Sequence, residues 1–128
     1  ISPWNYPFTI PFGEVLMGLM AGNGVVLKVD ERVWDVGQVL GEICQASALP
    51  SGVFSLVEDD GPRAAQGFFQ QGVDKIFFTG SVAVGKSLMA QASQTLTPLS
   101  LELGGNDPMI VFDDADFGQE NMLYVQVA

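Results

Sequence analysis

The chain has no histidine and one cysteine, Cys44. Cys/His zinc sites and histidine-based triads are therefore excluded within it, and a single thiol closes no internal disulfide. Basic residues are scarce too: five lysines and arginines stand against fifteen acids, a net charge of −10. A surface of that sign disfavours nucleic acid and anionic membranes as partners and favours solubility. No apolar run reaches the length that crosses a bilayer. Over 128 residues, 48% apolar and 16% charged composition suits one globular domain with a real core and argues against disorder.

The rest of the chain is organised around residues 76–86, Ile-Phe-Phe-Thr-Gly-Ser-Val-Ala-Val-Gly-Lys. A short apolar run breaks at Gly80 and continues as a helix through Gln91, which predicts strand, tight turn and helix start. Gly80 lets the backbone turn and leaves room for a close ligand. Ser81 brings a hydroxyl and the first free N–H groups of a helix, which attract phosphate. A plain strand–turn–helix connection accounts for the same residues, and the Gly80–Gly85 spacing is not G-x-G-x-x-G.

Around that stretch, helical spacing of Val15, Leu16, Leu19 and Met20 predicts a helix over residues 12–21, ended by Gly22-Asn23-Gly24. Residues 25–29 read as a buried parallel strand. Val33, Val36, Leu40, Ile43 and Cys44 form one face of a second helix. Residues 53–57 give another strand, 63–71 a helix, 75–78 the central strand, and 81–93 its helix. Residues 99–103 and 109–112 give two more strands, and the acids Asp113, Asp114 and Asp116 open a last helix. This alternation predicts an α/β fold with a mainly parallel, open sheet.

Three features could carry chemistry. Glu102, between Leu101 and Leu103 and ahead of Gly104-Gly105, is a general base if the leucines shield it; strand alternation, the commoner outcome, turns it to solvent. Asn5, held by Pro3, Trp4 and Pro7, could donate to an oxyanion or serve an ordinary Asx-turn. Lys28 lies near a strand end, where open α/β sheets bind ligands, and Glu31 could accept from ribose hydroxyls; helix capping or a surface ion pair competes with that use. Cys44 lies on an apolar helix face with no cationic neighbour in sequence, and reads as core rather than nucleophile. Nothing in the composition marks a metal site.

In order along the chain stand Pro3-Trp4-Asn5-Tyr6-Pro7, Lys28-Val29-Asp30-Glu31, Phe78-Thr79-Gly80-Ser81 with Gly85, Leu101-Glu102-Leu103-Gly104-Gly105, and Asp114-Ala115-Asp116. With these motifs the chain closely resembles the aldehyde dehydrogenase superfamily over essentially its whole length. The resemblance implies a Rossmann-like dinucleotide-binding domain spanning 1–128, truncated at both ends. It implies NAD as cofactor, with NADP possible. Asn5 would supply an oxyanion-hole amide and Glu102 the general base. Lys28 and Glu31 would hold the adenosine ribose, Glu31 favouring NAD. Gly80 and Ser81 would sit at the pyrophosphate, Gly61-Pro62 beside the adenine, and Trp4, Thr79, Gly85 and Leu103 would complete the cofactor site. The chain departs from the family at Val29-Asp30, often Pro-Ser or Pro-Ala, and at Asn106, commonly Lys; Asp30 adds a charge near the ribose.

The family nucleophile, a cysteine in a Gly-Gln-x-Cys segment, lies farther beyond the base than this chain extends. The catalytic and oligomerisation segments are likewise expected outside it, together with most of a strand ahead of Ile1. The expected parent is a cytoplasmic homo-oligomer that oxidises a small aldehyde to a carboxylic acid through a cysteine thioester. The alternative is a non-catalytic nucleotide-binding module or an inactive remnant.

Overall fold

A computed structural model describes residues 1–116. Helices and strands alternate along them: α1 (Thr9–Met20), β1 (Val25–Leu27), α2 (Trp34–Ala46), β2 (Phe54–Leu56), α3 (Gly61–Gln70), β3 (Ile76–Gly80), α4 (Val82–Thr95) and β4 (Leu99–Leu103), with a 3₁₀ turn at Glu31–Val33 before α2. β1 pairs parallel with β2, Val25 opposite Phe54 and Leu27 opposite Leu56. β3 pairs parallel with β4, Ile76 opposite Leu99 and Gly80 opposite Leu103. The expected α/β class with open parallel sheets is what forms.

The two ladders are joined by the first two residues. The amino group of Ile1 donates to the Phe77 carbonyl at 2.8 Å, and the Thr79 N–H donates to the Ile1 carbonyl at 3.2 Å. On the other side the Ser2 N–H donates to the Lys28 carbonyl at 2.9 Å. Ile1 and Ser2 thus lie between β1 and β3. A cavity of about 500 Å³ opens beside them, walled by Val25 and Val26 on one side and Ile76 and Phe77 on the other.

Each ladder has its own core. Ala65, Phe69, Ile76, Phe78, Leu88 and Ala92 form one, drawn from α3, β3 and α4. Val15, Leu27, Val29 and Leu40 form the other, with Cys44 packed against it. Gly22, at φ +82°, closes α1 in the left-handed region that glycine enters without strain.

Three expectations need correction. Residues 109–112 make no strand: they have no ladder partner among the described residues, and Ile110 and Phe112 are exposed. An apolar run becomes a strand only where a neighbour pairs with it and covers it. Leu16 and Met20 of α1 point away from the core, which takes Val15 and part of Leu19 instead; Met20 is 79% exposed. Gly80 does not make the turn, since β3 runs through it and its φ is not positive; its hydrogen lies where a Cβ would meet the Phe78 ring at 2.5 Å. The helix expected after Asp113 falls mainly outside the described residues. Within them, residues 113 and 114 form a turn in which the Ala115 N–H donates to the Phe112 carbonyl.

Candidate cofactor and catalytic cleft

The ends of β1, β3 and β4 open onto one cavity of about 1170 Å³. Trp4 and Asn5 wall it from the N-terminal segment, Lys28 and Glu31 from the end of β1, and Gly61 and Pro62 from the first turn of α3. Thr79, Gly80 and Ser81 come from the β3–α4 junction, and Glu102 and Leu103 from β4. All the sequence-predicted site residues but one therefore share one space. Gly85 is the exception: a Cβ there would lie 2.7 Å from Leu103 Cδ2, so its role is to let α4 pack closely against β4.

Local chemistry positions these groups. Lys28 is buried to 5% side-chain exposure, and its ammonium donates to Glu31 Oε1 at 2.7 Å. That hydrogen bond holds the Glu31 carboxyl below its ordinary value, while 54% of the side chain remains open to accept further donors. Gly61 contributes no side chain beside this pair; a Cβ there would approach Lys28 Nζ at 4.0 Å. Ser81 caps α4 by accepting from the Val84 N–H at 3.3 Å, which leaves the first N–H groups of the helix without helical acceptors at the cavity wall. Asp60 caps α3 in the same way, accepting from Arg63 N–H at 2.9 Å.

Asp30 is paired rather than free. Arg32 takes it up with two side-chain hydrogen bonds, Nε to Oδ1 and Nη2 to Oδ2, each 2.8 Å. Those bonds, above all, hold the Asp30 carboxyl below its ordinary value. The same guanidinium lies 4.9 Å over the Trp4 ring, so Arg32 ties the Asn5 segment to the 3₁₀ turn.

Glu102 is exposed, the outcome that strand alternation gives rather than shielding by Leu101 and Leu103. Side chains alternate across the strand, so its leucine neighbours face away from it, and β4 is an edge strand. Asn5 is exposed as well, and its amide has no hydrogen-bond partner among the described residues. Cys44 lies outside the cavity, in the second core, where burial pushes its thiol up; that is the setting of an inert cysteine.

The family model described as "Aldehyde dehydrogenase family" matches residues 1–127. The chain belongs to the aldehyde dehydrogenase family. It is 43% identical over 117 residues to "Aminoaldehyde dehydrogenase 1, peroxisomal" of Pisum sativum, covering 91% of this chain and 23% of that protein. Among solved structures, a succinate-semialdehyde dehydrogenase from Burkholderia pseudomallei superposes with a TM-score of 0.81 at 40% identity, covering 90% of this chain and 24% of that one. An NAD-dependent aldehyde dehydrogenase from Sinorhizobium meliloti gives 0.80 at 40% identity, covering 90% and 23%. The chain thus spans about a quarter of the length of these aldehyde dehydrogenases. No helix among the described residues is long and apolar enough to cross a membrane.

The cavity fits the dinucleotide that the family implies. The Ser2 hydroxyl, on a residue only 4% exposed that lines this cavity, has no hydrogen-bond partner among the described residues. A buried hydroxyl of that kind is costly unless a ligand satisfies it. Lys28 with Glu31 and the helix end at Ser81 supply a cation, acceptors and N–H donors to this one cavity.

Arg32 and Glu14 are cavity residues that the sequence reading does not single out. Arg32 carries no motif of its own. Glu14 had a signal: it is the one charged residue in the otherwise uncharged helix Thr9–Met20. It lines the cavity, and Thr79 Oγ1 donates to its Oε1 at 3.4 Å. Burial is the main cause that lifts its carboxyl above the ordinary value.

Proposed function

We propose that this chain supplies the dinucleotide-binding part, the general base and the oxyanion-hole amide of an NAD(P)-dependent aldehyde dehydrogenase. The observation that carries the reading is the single cavity uniting Lys28, Glu31 and Ser81 with Asn5 and Glu102. The bound dinucleotide would supply a hydride acceptor. Lys28 and Glu31 would hold the adenosine ribose, and the α4 N-terminus at Ser81 would hold the pyrophosphate. The Asn5 amide would donate to the oxygen of the substrate carbonyl as charge develops there. Glu102 would take a proton from the water that releases the carboxylic acid.

No residue of this chain is read as the nucleophile. Cys44 sits in a core, so the chain alone is expected to make no NADH from any common aldehyde; Cys44-dependent NADH production by the folded chain would overturn that. The parent is read as a homo-oligomer acting on a small aldehyde, with neither nucleic acid nor membrane as partner. A lone, half-buried thiol suits a reducing compartment, and we place the parent in the cytoplasm.

Glu31 makes the cofactor reading specific. A 2′-phosphate would meet its carboxylate, so NAD is favoured over NADP. Calorimetry with NAD, NADP and ADP-ribose tests this. NAD and ADP-ribose are expected to bind alike and NADP more weakly; Glu31→Ala should weaken NAD about tenfold and narrow the gap to NADP. Equal binding of NAD and NADP by the unmutated chain would remove Glu31 from the ribose. Binding of none of the three would leave only the reading of an inactive remnant.

A further inference from the structure

The part of the cavity at Thr79 carries two carboxylates, and the proposed function uses only Glu102. The other, Glu14, is half-buried and is the sole charge on α1. It accepts from Thr79 Oγ1 at 3.4 Å, and Thr79 is the register partner of Glu102 across the β3–β4 ladder. Glu14 and Glu102 therefore approach the same threonine from two different elements.

We propose that Glu14 gives this end of the cavity a preference for the oxidised over the reduced dinucleotide, an inference that rests on the cofactor reading above. If adenosine lies by Lys28 and Glu31 and the pyrophosphate by Ser81, the nicotinamide occupies what remains. Hydride must leave the same carbon that Asn5 polarises and that water activated by Glu102 attacks, so the ring has to lie near those groups. Oxidised and reduced cofactors are identical except at that ring, which is a cation in one and neutral in the other. A carboxylate beside it attracts only the cation.

The groups facing Glu14 decide when it carries its charge. The Ile1 amino group favours the ionised form from the N-terminal segment, and the Thr79 hydroxyl does so from β3. Burial and the Glu102 carboxylate oppose it, burial most. The preference is therefore weak in acid and grows as pH rises through the raised Glu14 value.

The test is binding of NAD+, NADH and ADP-ribose to the full chain and to its Glu14→Gln variant, at several pH values. ADP-ribose lacks the ring and reports whether the cleft is folded. Glu14→Gln is expected to lower the NAD+/NADH affinity ratio about three- to tenfold and to flatten its pH dependence, with ADP-ribose affinity unchanged. An unmoved ratio in a variant that still binds ADP-ribose would overturn the Glu14 inference alone. Failure of the unmutated chain to bind ADP-ribose would overturn the cofactor reading, and this inference with it. If only the variant loses ADP-ribose, the pH series on the unmutated chain decides: a rising ratio supports the inference, and a flat one ends it.

Discussion

At Gly80 and Gly67 the absence of a side chain has opposite consequences. A Cβ on Gly80 would lie 2.5 Å from Phe78 Cζ, and Phe78 is a buried core ring. Gly67, within α3, has nothing within 4 Å of where a Cβ would stand. Gly80→Ala is therefore expected to cost about 1–3 kcal/mol by overpacking. Gly67→Ala should gain up to about 1 kcal/mol by helix propensity alone. Urea midpoints of the two variants check this, and a neutral Gly80→Ala would show that the Phe78 ring yields. Residue identity let the sequence name Gly80 as special but not say why, because close approach of Phe78 is a tertiary fact. Glu102 is similar: its type and neighbours were readable, while its exposure depended on what packs against β4.

Among the elements, helices with a strong stop or cap were read best. Gly22 ends α1, and Ser81 opens α4, because these signals act through the local backbone. The apolar run at 109–112 misled, since a strand is defined by a partner and periodicity cannot supply one. Glu14 belongs to no motif, and its one signal in the sequence is a lone charge in an apolar helix. The turn after β1 and helix α1 should also respond oppositely to pH. The Asp30 and Glu31 carboxyls are lowered, by Arg32 and Lys28 respectively. They add stability above the ordinary carboxylate range, and that contribution is lost as pH falls through their lowered values. Glu14 is raised, so its contribution is present below the ordinary glutamate value and is lost as pH rises through its raised one. Glu14→Gln should therefore increase the urea midpoint near neutral pH relative to the unmutated chain and leave it alike in acid. Arg32→Ala should act at neutral pH in the other direction, modestly, because the guanidinium is exposed. A Glu14→Gln midpoint that falls at neutral pH would mean that the favourable interactions of the charged carboxylate, with the Ile1 amino group first and Thr79 next, outweigh the burial of charge.

For the whole molecule, the decisive feature is that among the described residues the two ladders are joined in the backbone by Ile1 and Ser2. The alternation of strands and helices along the chain foretold the parallel α/β class, but not this division, because it depends on which backbone groups meet across β1 and β3. The β3–β4 ladder is five residues long and covers a core containing Phe69, Phe78, Ile76 and Leu88. The β1–β2 ladder is three residues long and its fully buried set is smaller. Apolar burial scales with the size of the cluster, so the second core should be the weaker. The backbone coupling between them runs through the Ser2 N–H to Lys28 carbonyl bond on one side and the two Ile1 bonds on the other, with the Thr79–Glu14 hydrogen bond beside it. Native-state hydrogen exchange should therefore resolve two classes of opening, with amides of β1, β2 and α2 exchanging at lower free energy than those of β3, β4 and α4. Ser2→Pro deletes the donor to Lys28 and should lower protection in β1 and β2 while leaving β3 and β4 nearly unchanged. Equal protection across both ladders, falling together in Ser2→Pro, would mean that the two cores unfold as one body and that side-chain contacts across the cleft bind them more firmly than the backbone does.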